Sequence, residues 1–343
     1  MKKILLAIIL VLLSTSAFAD THNVTCSGDI TSGLIAAHSA ASTGDTILVS
    51  AGTCTISGLL SITKGITLQG AGVGNTVLTT SVIPFINYQA ATPAANSPFR
   101  VTGFSFNGNN VVSASYGIKL NNGYSTTPQT NIRIDNNRFY NFLATAISSS
   151  GVMGVIDSNT FEVGGQKIPI RFSECTNNRA GGYYYESYPD LIYGADENTM
   201  WIEDNTFTLA ENDKQLIDSQ CGNRYSLRYN TITFASGSNL YGMLDYHGNY
   251  DSYYGSYHPY SVFGGEVYGN QITMSGNEGG ELAAIRGGKV LLFMNNITSS
   301  GSWGVGRARE EDPDSACPIV ANPTWEQHVH DTYQWNNRRN LTT

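Results

Sequence analysis

Apolar and polar positions form a short pattern that recurs six times along the middle of the chain. Each copy has an apolar residue, two polar or small residues, an asparagine, one variable residue and a second apolar residue. The copies begin at Ile134, Ile156, Ile202, Leu227, Val267 and Leu292, and their asparagines are Asn137, Asn159, Asn205, Asn230, Asn270 and Asn295. Successive asparagines are 22, 46, 25, 40 and 25 residues apart. If each long interval is one period plus an insertion, this spacing predicts a solenoid.

Before the repeats, apolar and polar residues alternate in short runs separated by glycine. These runs lie within residues 44–49, 51–56 and 66–72. A period of two predicts short strands. Residues 29–43 form the one convincing helix of the sequence, with Asp29 or Thr31 as its N-cap. Leu34, Ile35 and His38 lie on one face of this helix. A solenoid exposes its core at each end, so we expect this helix to cover the first coil.

The N-terminal residues match an export signal. Lys2 and Lys3 precede an apolar run that ends at Leu13, and small residues follow around Ala17 and Ala19. The run is too short to cross a bilayer, so residues 1–19 predict a signal peptide and not a membrane anchor. We therefore expect a secreted or cell-surface protein, with the periplasm as the alternative, and the later sequence predicts no membrane span.

Composition narrows the class of protein. The chain of 343 residues has 36 glycines and 20 tyrosines, and only 13% of its residues are charged, which favours short strands and tight turns. A formal net charge of −8 argues against nucleic acid as a partner, because phosphates attract a basic surface. For the same reason, a polyanionic substrate would require local basic residues or a bound cation.

Export also permits disulfides. Cys26 and Cys54 are placed to link the N-terminal end, whereas Cys175 and Cys221 occupy similar repeat positions and are candidates to bridge neighbouring coils. Cys317 is then left over. The spacing alone leaves the connectivity open.

The opening at 44–72 and the asparagine repeats together resemble the right-handed parallel β-helices of the pectin-lyase-like superfamily, over residues 44–310. The predicted fold class is therefore all-β, a single-stranded right-handed parallel β-helix with a short N-terminal helix. The predicted divisions are a signal peptide at 1–19, an N-terminal cap at 20–43, the β-helix at 44–310 and a C-terminal cap at 311–343. In this fold the recurring asparagine bonds the backbone at a turn and stacks on the asparagine of the next coil. The asparagine column is structural in this interpretation.

A second strand of each coil carries an inward apolar or small residue followed by an outward residue. The pairs are Ile118-Lys119, Ile147-Ser148, Ile170-Arg171, Ile217-Asp218, Leu244-Asp245, Ile285-Arg286 and Gly306-Arg307. Coils stack about 4.8 Å apart, so we expect the outward residues to form one column. Stacked carboxylates destabilise a protein unless a cation, a shared proton or arginines compensate them, so Asp218 beside Asp245 indicates a functional site. The alternative is a ladder of salt bridges without chemistry.

His247 lies two residues beyond Asp245, on the same face if the strand continues. It can act there as a general acid or base near neutral pH. The alternative is a hydrogen-bonded surface histidine.

Two insertions, residues 176–199 and 246–262, hold eleven of the twenty tyrosines. Both follow the same strand of their coil, which predicts a tyrosine-lined wall for sugar stacking on one side of the solenoid. The alternative is that each insertion packs its tyrosines on itself. The residues assigned to substrate binding are Lys119, Arg224, Tyr184, Tyr246, Tyr254, Lys289 and Arg307.

The resemblance implies two enzymatic functions. The leading one is lyase-type cleavage of an extracellular, uronate-containing polysaccharide, in which Arg171 or Arg286 is the base and Asp218 and Asp245 hold Ca²⁺. The other is hydrolysis of the polygalacturonase type, which uses acidic residues, a His-Gly element and an Arg-x-Lys element. Here the tandem aspartates of that type are missing, and the segment 286–289 is one residue too long. Carboxylates on neighbouring coils also predict roughly 5 Å of separation, closer to retaining than to inverting geometry.

A third function is non-catalytic, since the fold also suits a glycan-binding protein, an adhesin or a filament subunit. Residues 310–314 are acidic and contain proline, which ends a regular coil. We expect the aromatic residues after them to cover the open end, and His328 and His330 are a weak metal-binding signal. The segment 333–339 can begin another strand, whose unpaired edge would favour self-association through the C-terminal end.

Overall fold

The computed structural model describes residues 19–80, 84–92, 98–110, 116–121, 129–143, 145–163, 168–172, 199–209, 215–219, 223–234, 243–247, 262, 264–274, 280–299, 303–308, 329 and 331–341. Structural statements below refer to these residues. The predicted signal peptide lies outside them, apart from residue 19.

Three parallel sheets run along one solenoid, so the predicted right-handed parallel β-helix is confirmed. Sheet A contains β1 (Thr21–Val24), β3 (Thr46–Val49), β6 (Thr67–Gln69), β9 (Phe99–Thr102), β12 (Gln129–Asp135), β15 (Val152–Asp157), β18 (Met200–Glu203), β21 (Arg224–Arg228), β24 (Gly264–Tyr268), β27 (Lys289–Phe293) and β30 (Tyr333–Trp335). Sheet B contains β2 (Gly28–Asp29), β4 (Gly52–Ile56), β7 (Thr76–Thr80), β10 (Ser105–Asn107), β13 (Arg138–Phe142), β16 (Thr160–Val163), β19 (Thr206–Leu209), β22 (Thr231–Phe234), β25 (Gln271–Met274), β28 (Asn296–Ser299) and β31 (Arg338–Leu341).

Sheet C supplies the third strand of the coils between the first and the last described ones. It contains β5 (Leu60–Ile62), β8 (Ile86–Tyr88), β11 (Tyr116–Asn121), β14 (Thr145–Ser150), β17 (Ile170–Phe172), β20 (Ile217–Ser219), β23 (Leu244–Tyr246), β26 (Gly280–Ile285) and β29 (Trp303–Ala308). A typical coil therefore runs from sheet A through sheet B to sheet C, and then to sheet A of the next coil.

Apolar side chains of the same type stack inside the solenoid. Phe106, Phe139, Phe161 and Phe207 on sheet B form one continuous stack, with centroid separations of 5.1, 4.9 and 4.7 Å. All four side chains are buried. Offset stacking adds to the transfer free energy of each ring, so this column ties successive coils together.

The predicted asparagine column lies at the turn between sheets A and B. The backbone N–H and the side-chain Nδ2 of Asn159 both donate to Oδ1 of Asn205, at 2.9 and 3.0 Å. The same Nδ2 donates to the carbonyl of Ile134 in the preceding coil, at 2.8 Å. This bonding pattern repeats from Asn137 to Asn295, and the asparagines are buried. Each asparagine thus satisfies backbone groups that the turn would otherwise leave unpaired.

The residue before each asparagine has a left-handed backbone. These residues are Asn136, Ser158, Asp204, Tyr229, Gly269, Met294 and Asn336, with φ between 51° and 69°. Only one is glycine, although a left-handed conformation costs other residues roughly 1–2 kcal/mol. The sequence pattern did not include this position, because its residue types differ from coil to coil.

The solenoid is longer than predicted at both ends. β1 and β2 already pair with β3 and β4, so the first coil begins before residue 44. At the other end, β30 and β31 pair with β27 and β28 beyond the predicted boundary at residue 310. Asn337 continues the asparagine column there. The pattern missed this copy because Gln334 and Arg339 occupy its two apolar positions.

The helix α1 (Thr31–Ala40) is shorter than predicted and begins after Ile30, which has no capping side chain. Asp29 instead accepts a hydrogen bond from the backbone N–H of Thr31 at 2.9 Å. Leu34 is buried, but Ile35 on the same predicted face is 47% exposed, so that face is only partly covered. The helix packs against β1 and β5 and stands where the first coil would otherwise supply a strand to sheet C.

One disulfide joins Cys26 to Cys54, as predicted, and links the first two coils. Cys175 and Cys221 lie outside the described residues. Within the described part of the chain, no helix is both long and apolar enough to cross a membrane.

Candidate functional site

Sheet C places the predicted outward residues in one column. Its register pairs Lys119 with Ser148, Ser148 with Arg171, Arg171 with Asp218, and Asp218 with Asp245. The two aspartates therefore stand on adjacent coils, at the same position of β20 and β23. This proximity was predicted from the repeat.

Arg286 does not occupy the column position assigned to it. Asp245 pairs in register with Ala284, and Ala284 pairs with Arg307. Arg286 lies two residues further along, just after β26, and its backbone N–H donates to the backbone carbonyl of Tyr246. The prediction that Ile285 and Arg286 occupy the inward and outward positions of this coil was wrong. Ala283 and Ala284 occupy them, and as two small residues they gave no charged position that the sequence pattern could detect.

Arg286 nevertheless reaches back to the preceding coil and holds Asp245 with two hydrogen bonds. Its Nε donates to Oδ1 at 2.9 Å and its Nη2 to Oδ2 at 2.7 Å. The same Nη2 lies 2.7 Å from each ring nitrogen of His247. A bidentate pair of this kind fixes both partners more firmly than a single charge–charge contact.

His247 joins the two carboxylates. Its Nε2 lies 3.0 Å from Oδ1 of Asp218 and 3.2 Å from Oδ2 of Asp245. The Asp218 side chain is 6% exposed and that of Asp245 is 10% exposed, whereas the imidazole is 20% exposed. The histidine is therefore the part of this group of three that faces solvent, with both acids beneath it.

The two acids differ in how well they are hydrogen-bonded. Besides Arg286, Asp245 accepts a hydrogen bond from Nε2 of Gln215 at 2.5 Å. Asp218 faces Nε of Arg171 at 3.0 Å, but that contact is an ion pair and not a well-directed hydrogen bond. Its buried Oδ1 also lacks a well-directed hydrogen bond to any described residue. Sequence reasoning missed Gln215, because a single glutamine before a strand carries no recognisable signal.

These contacts set the protonation of the site. Burial by itself lowers the pKa of His247, but its contacts with Asp218 and Asp245 and their charges outweigh burial and raise the pKa to about 9. Burial favours the neutral form of Asp245, yet His247 and Arg286 together hold its pKa below the ordinary value. At neutral pH the imidazolium and two guanidinium groups thus outnumber the two carboxylates, and the cluster carries excess positive charge.

Calcium fits this set of residues poorly. Asp218, Asp245 and His247 each offer one ligand atom within 4.8 Å of the others. Ca²⁺ takes six to eight oxygen ligands, whereas one of these three atoms is a nitrogen. Both oxygens of Asp245 already accept hydrogen bonds from Arg286. The donor set therefore does not support the predicted calcium site, and no chemical step is assigned to a metal.

The residues assigned to substrate binding fall in different places. Tyr246 is fully buried and stacks on Tyr225 at 5.1 Å inside the solenoid, so its assignment to a sugar-binding wall is wrong. The reason is register, since Tyr246 takes the inward position after Asp245. Lys119 lies three coils before Asp218 in the same column.

Arg224 and Lys289 lie on sheet A, each at the start of its strand. Both are in register with Gly264, which stands between them. Only residues 287 and 288 separate Lys289 from Arg286, so this column borders the site at the corner between sheets C and A. Tyr184, Tyr254 and the side chain of Arg307 lie outside the described residues. The two insertions each connect a sheet C strand to the next sheet A strand, β17 to β18 and β23 to β24.

No protein-family model matches the sequence, and no curated protein matches it. Among solved structures, the chain is similar to the family PL6 alginate lyase AlyGC, with a TM-score of 0.56 and 14% identity. It is also similar to ORF18 of Geobacillus virus E2, with a TM-score of 0.52 and 12% identity. Each alignment covers 94% of this chain, which spans 40% of the lyase and 61% of the viral protein. At these identities the likeness concerns the fold alone: the chain shares the right-handed parallel β-helix of these proteins.

Proposed function

We propose that this protein cleaves an anionic, uronate-containing polysaccharide by β-elimination, at the cluster formed by Asp218, Asp245 and His247. The observation that carries the proposal is that two buried carboxylates on adjacent coils both contact Nε2 of one partly exposed histidine, with an arginine at each acid. The likeness in fold to an alginate lyase is compatible with this activity. The Cys26–Cys54 disulfide suits action outside the cytoplasm.

Elimination requires a cation beside the uronate carboxylate and a base for the proton on C5. Arg171 and Arg286 are partly exposed, at 33% and 21% of their side chains, and can donate N–H groups to a carboxylate. His247 in its neutral form takes the proton from C5. The electron pair then forms the C4–C5 double bond, the C4–O4 bond breaks, and the leaving oxygen takes up a proton from the imidazolium or from water.

The two aspartates make His247 a strong base. They orient the ring through Nε2 and stabilise the imidazolium that forms when it accepts the proton. Neither predicted arginine base suits this structure. A guanidinium stays protonated in proteins, and Arg286 is held by Asp245 in two hydrogen bonds.

Glycoside hydrolysis fits the site less well. It requires one carboxylic acid that remains protonated, with a raised pKa, to donate to the leaving group. The pKa of Asp245 is instead lowered. The hydrolase alternative therefore lacks its acid at that carboxylate.

The test is to incubate the purified protein with alginate, polygalacturonate and other uronate polymers, and to follow the ultraviolet absorbance of the C4–C5 double bond. We expect absorbance to appear with at least one polymer, to increase with pH up to about 9, and to vanish in His247→Gln. The matched control is Asp157→Asn, which breaks a bidentate pair with Arg133 on sheet A, away from the site. It should keep full activity.

The proposal is overturned if no uronate polymer yields the chromophore, or if His247→Gln cleaves as fast as the wild type. New reducing ends without absorbance would instead indicate a hydrolase. Binding without any cleavage would indicate a glycan-binding protein.

A further inference from the structure

We infer that Gln215 is a positioning residue that commits Asp245 to an anchoring role and leaves Asp218 as the carboxylate that shares its charge with His247. This inference rests on the proposed function for its catalytic meaning, but its physical content concerns the three side chains alone. It assigns different tasks to two aspartates that the sequence presents as equivalent.

Asp245 accepts three hydrogen bonds besides its contact with His247. Oδ2 of Asp245 accepts from Gln215 at 2.5 Å and from Arg286 at 2.7 Å, and Oδ1 accepts from Arg286 at 2.9 Å. His247 Nε2 lies further from this acid, at 3.2 Å. Three short hydrogen bonds, two of them from a cation, therefore share the charge of this carboxylate with His247.

Asp218 is less well hydrogen-bonded than Asp245. Within the described part of the chain, its contacts are an ion pair with Arg171 and the approach of His247 Nε2 at 3.0 Å. Oδ1 of Asp218 is buried and lacks a well-directed hydrogen bond. A buried carboxylate oxygen left in this state gains more from an N–H of His247 than a saturated one does.

Gln215 reaches Asp245 from the preceding coil. It precedes β20, the strand of Asp218, yet it bonds Asp245 on the next coil. Gln215 is uncharged, so it holds Asp245 without adding a second cation to the arginine. The charged groups that face His247 are Asp218 from β20, Asp245 from β23 and Arg286 after β26, with Arg171 of β17 behind Asp218.

The experiment is to titrate the His247 ring by ¹⁵N NMR in the wild type, Gln215→Met and Gln215→Lys. Methionine keeps the length of the side chain and removes the donor. Asp245 Oδ2 then turns to Nε2–H of His247, and we expect the pKa of the ring to increase by about one unit. Lysine restores a donor and adds a positive charge, so in Gln215→Lys the pKa of the His247 ring should return to the wild-type value or fall below it.

The matched control is Ser219→Ala. Ser219 lies on β20, and its buried hydroxyl has no hydrogen-bond partner among the residues that the structure describes. Its removal should leave the titration of His247 unchanged. The inference is overturned if Gln215→Met titrates like the wild type, or if methionine and lysine shift the pKa in the same direction.

The readout needs no substrate, so it separates this inference from the proposed function. If the shift appears but no polymer is cleaved, the positioning role stands and the lyase proposal fails. If cleavage is observed, its pH profile should move with the pKa of the ring in Gln215→Met. If the pKa of the His247 ring changes in Gln215→Met but the pH profile of cleavage does not, Gln215 does not act on catalysis through His247. Circular dichroism of both Gln215 variants should match the wild type; loss of folding in both would show a purely structural role and overturn the inference.

Discussion

Arg286 holds Asp245 of the preceding coil through a bidentate contact, although the two residues are not in register. The residue in register with Asp245 is Ala284, and Arg286 extends from beyond the end of β26 to close the distance to 2.7 Å. Ala284 has only a methyl side chain and offers Asp245 no counter-charge, whereas Arg286 does. A charged residue at the position of Ala284 would compete for the same carboxylate.

Replacement of Asp245 tests this contact directly. Asp245→Asn should lower the free energy of unfolding by about 2 kcal/mol or more, because it leaves Arg286 partly buried without its counter-charge. Urea denaturation measures the change. The comparison is Asp157→Asn, whose partner Arg133 is 50% exposed, so its loss should cost within about 1 kcal/mol. Equal losses in the two variants would contradict the anchoring role of Asp245.

Stability should depend on pH through His247. Its pKa is about 9 in the folded state and 6.5 as the ordinary value, so the folded state binds the proton more tightly. The stabilisation is therefore fully present below about pH 6.5 and is lost as pH rises through about 9. We expect the free energy of unfolding to fall by an amount on the order of 2 kcal/mol over this window. Urea denaturation at a series of pH values measures it, and His247→Gln should flatten the decline. A wild-type curve that is already flat there would contradict the raised pKa.

Chelation should not affect the protein. Because Arg286 already bonds both oxygens of Asp245, the site offers Ca²⁺ few free ligands. The melting temperature and any elimination rate should be unchanged by EDTA and by added CaCl₂. A loss on chelation that calcium restores, and magnesium does not, would show that the carboxylates bind the ion after all.

The asparagine column should dominate the stability of the middle coils. Asn205→Ala removes the acceptor for Asn159 and the donor to the carbonyl of Ile156, both buried. Unsatisfied buried groups cost about 1–3 kcal/mol each, so we expect a loss of about 3 kcal/mol in urea denaturation. Asn337→Ala, in the last described coil, should cost less because its surroundings are partly exposed. A smaller loss at Asn205 than at Asn337 would contradict this account.

The turn before each asparagine offers a stabilising substitution. Met294 has φ of 56° and is 60% exposed, so its side chain contributes little burial while its backbone is strained. Met294→Gly should raise the free energy of unfolding by about 1 kcal/mol. Asn136→Gly, at the same position of another coil, should bring no such gain, because asparagine tolerates this conformation and Nδ2 of Asn136 donates a hydrogen bond to buried Asp135 at 2.7 Å. Thermal and urea denaturation of both variants measure the difference, and destabilisation by Met294→Gly would contradict it.

The sequence predicted the column of Arg171, Asp218 and Asp245 because a parallel solenoid stacks equivalent positions directly above one another. It could not predict the position of Arg286. Ala283-Ala284 and Ile285-Arg286 both fit an inward residue followed by an outward one, so the alternation allowed two registers. The prediction for Tyr246 was wrong for a related reason. Its place in a tyrosine-rich segment suggested a surface loop, but it follows outward Asp245 on β23, so its side chain points into the core.

The sequence by itself determined the period of the chain, and with it the β-helix, the asparagine column and the approach of two carboxylates on adjacent coils. These features follow from the repeat, whose period can be read directly from the spacing of residues in the sequence. Only the tertiary structure decided which groups compensate those carboxylates. Arg286 and Gln215 come from different coils and reach Asp245 through side-chain length and direction, and no spacing in the sequence encodes a contact of that kind.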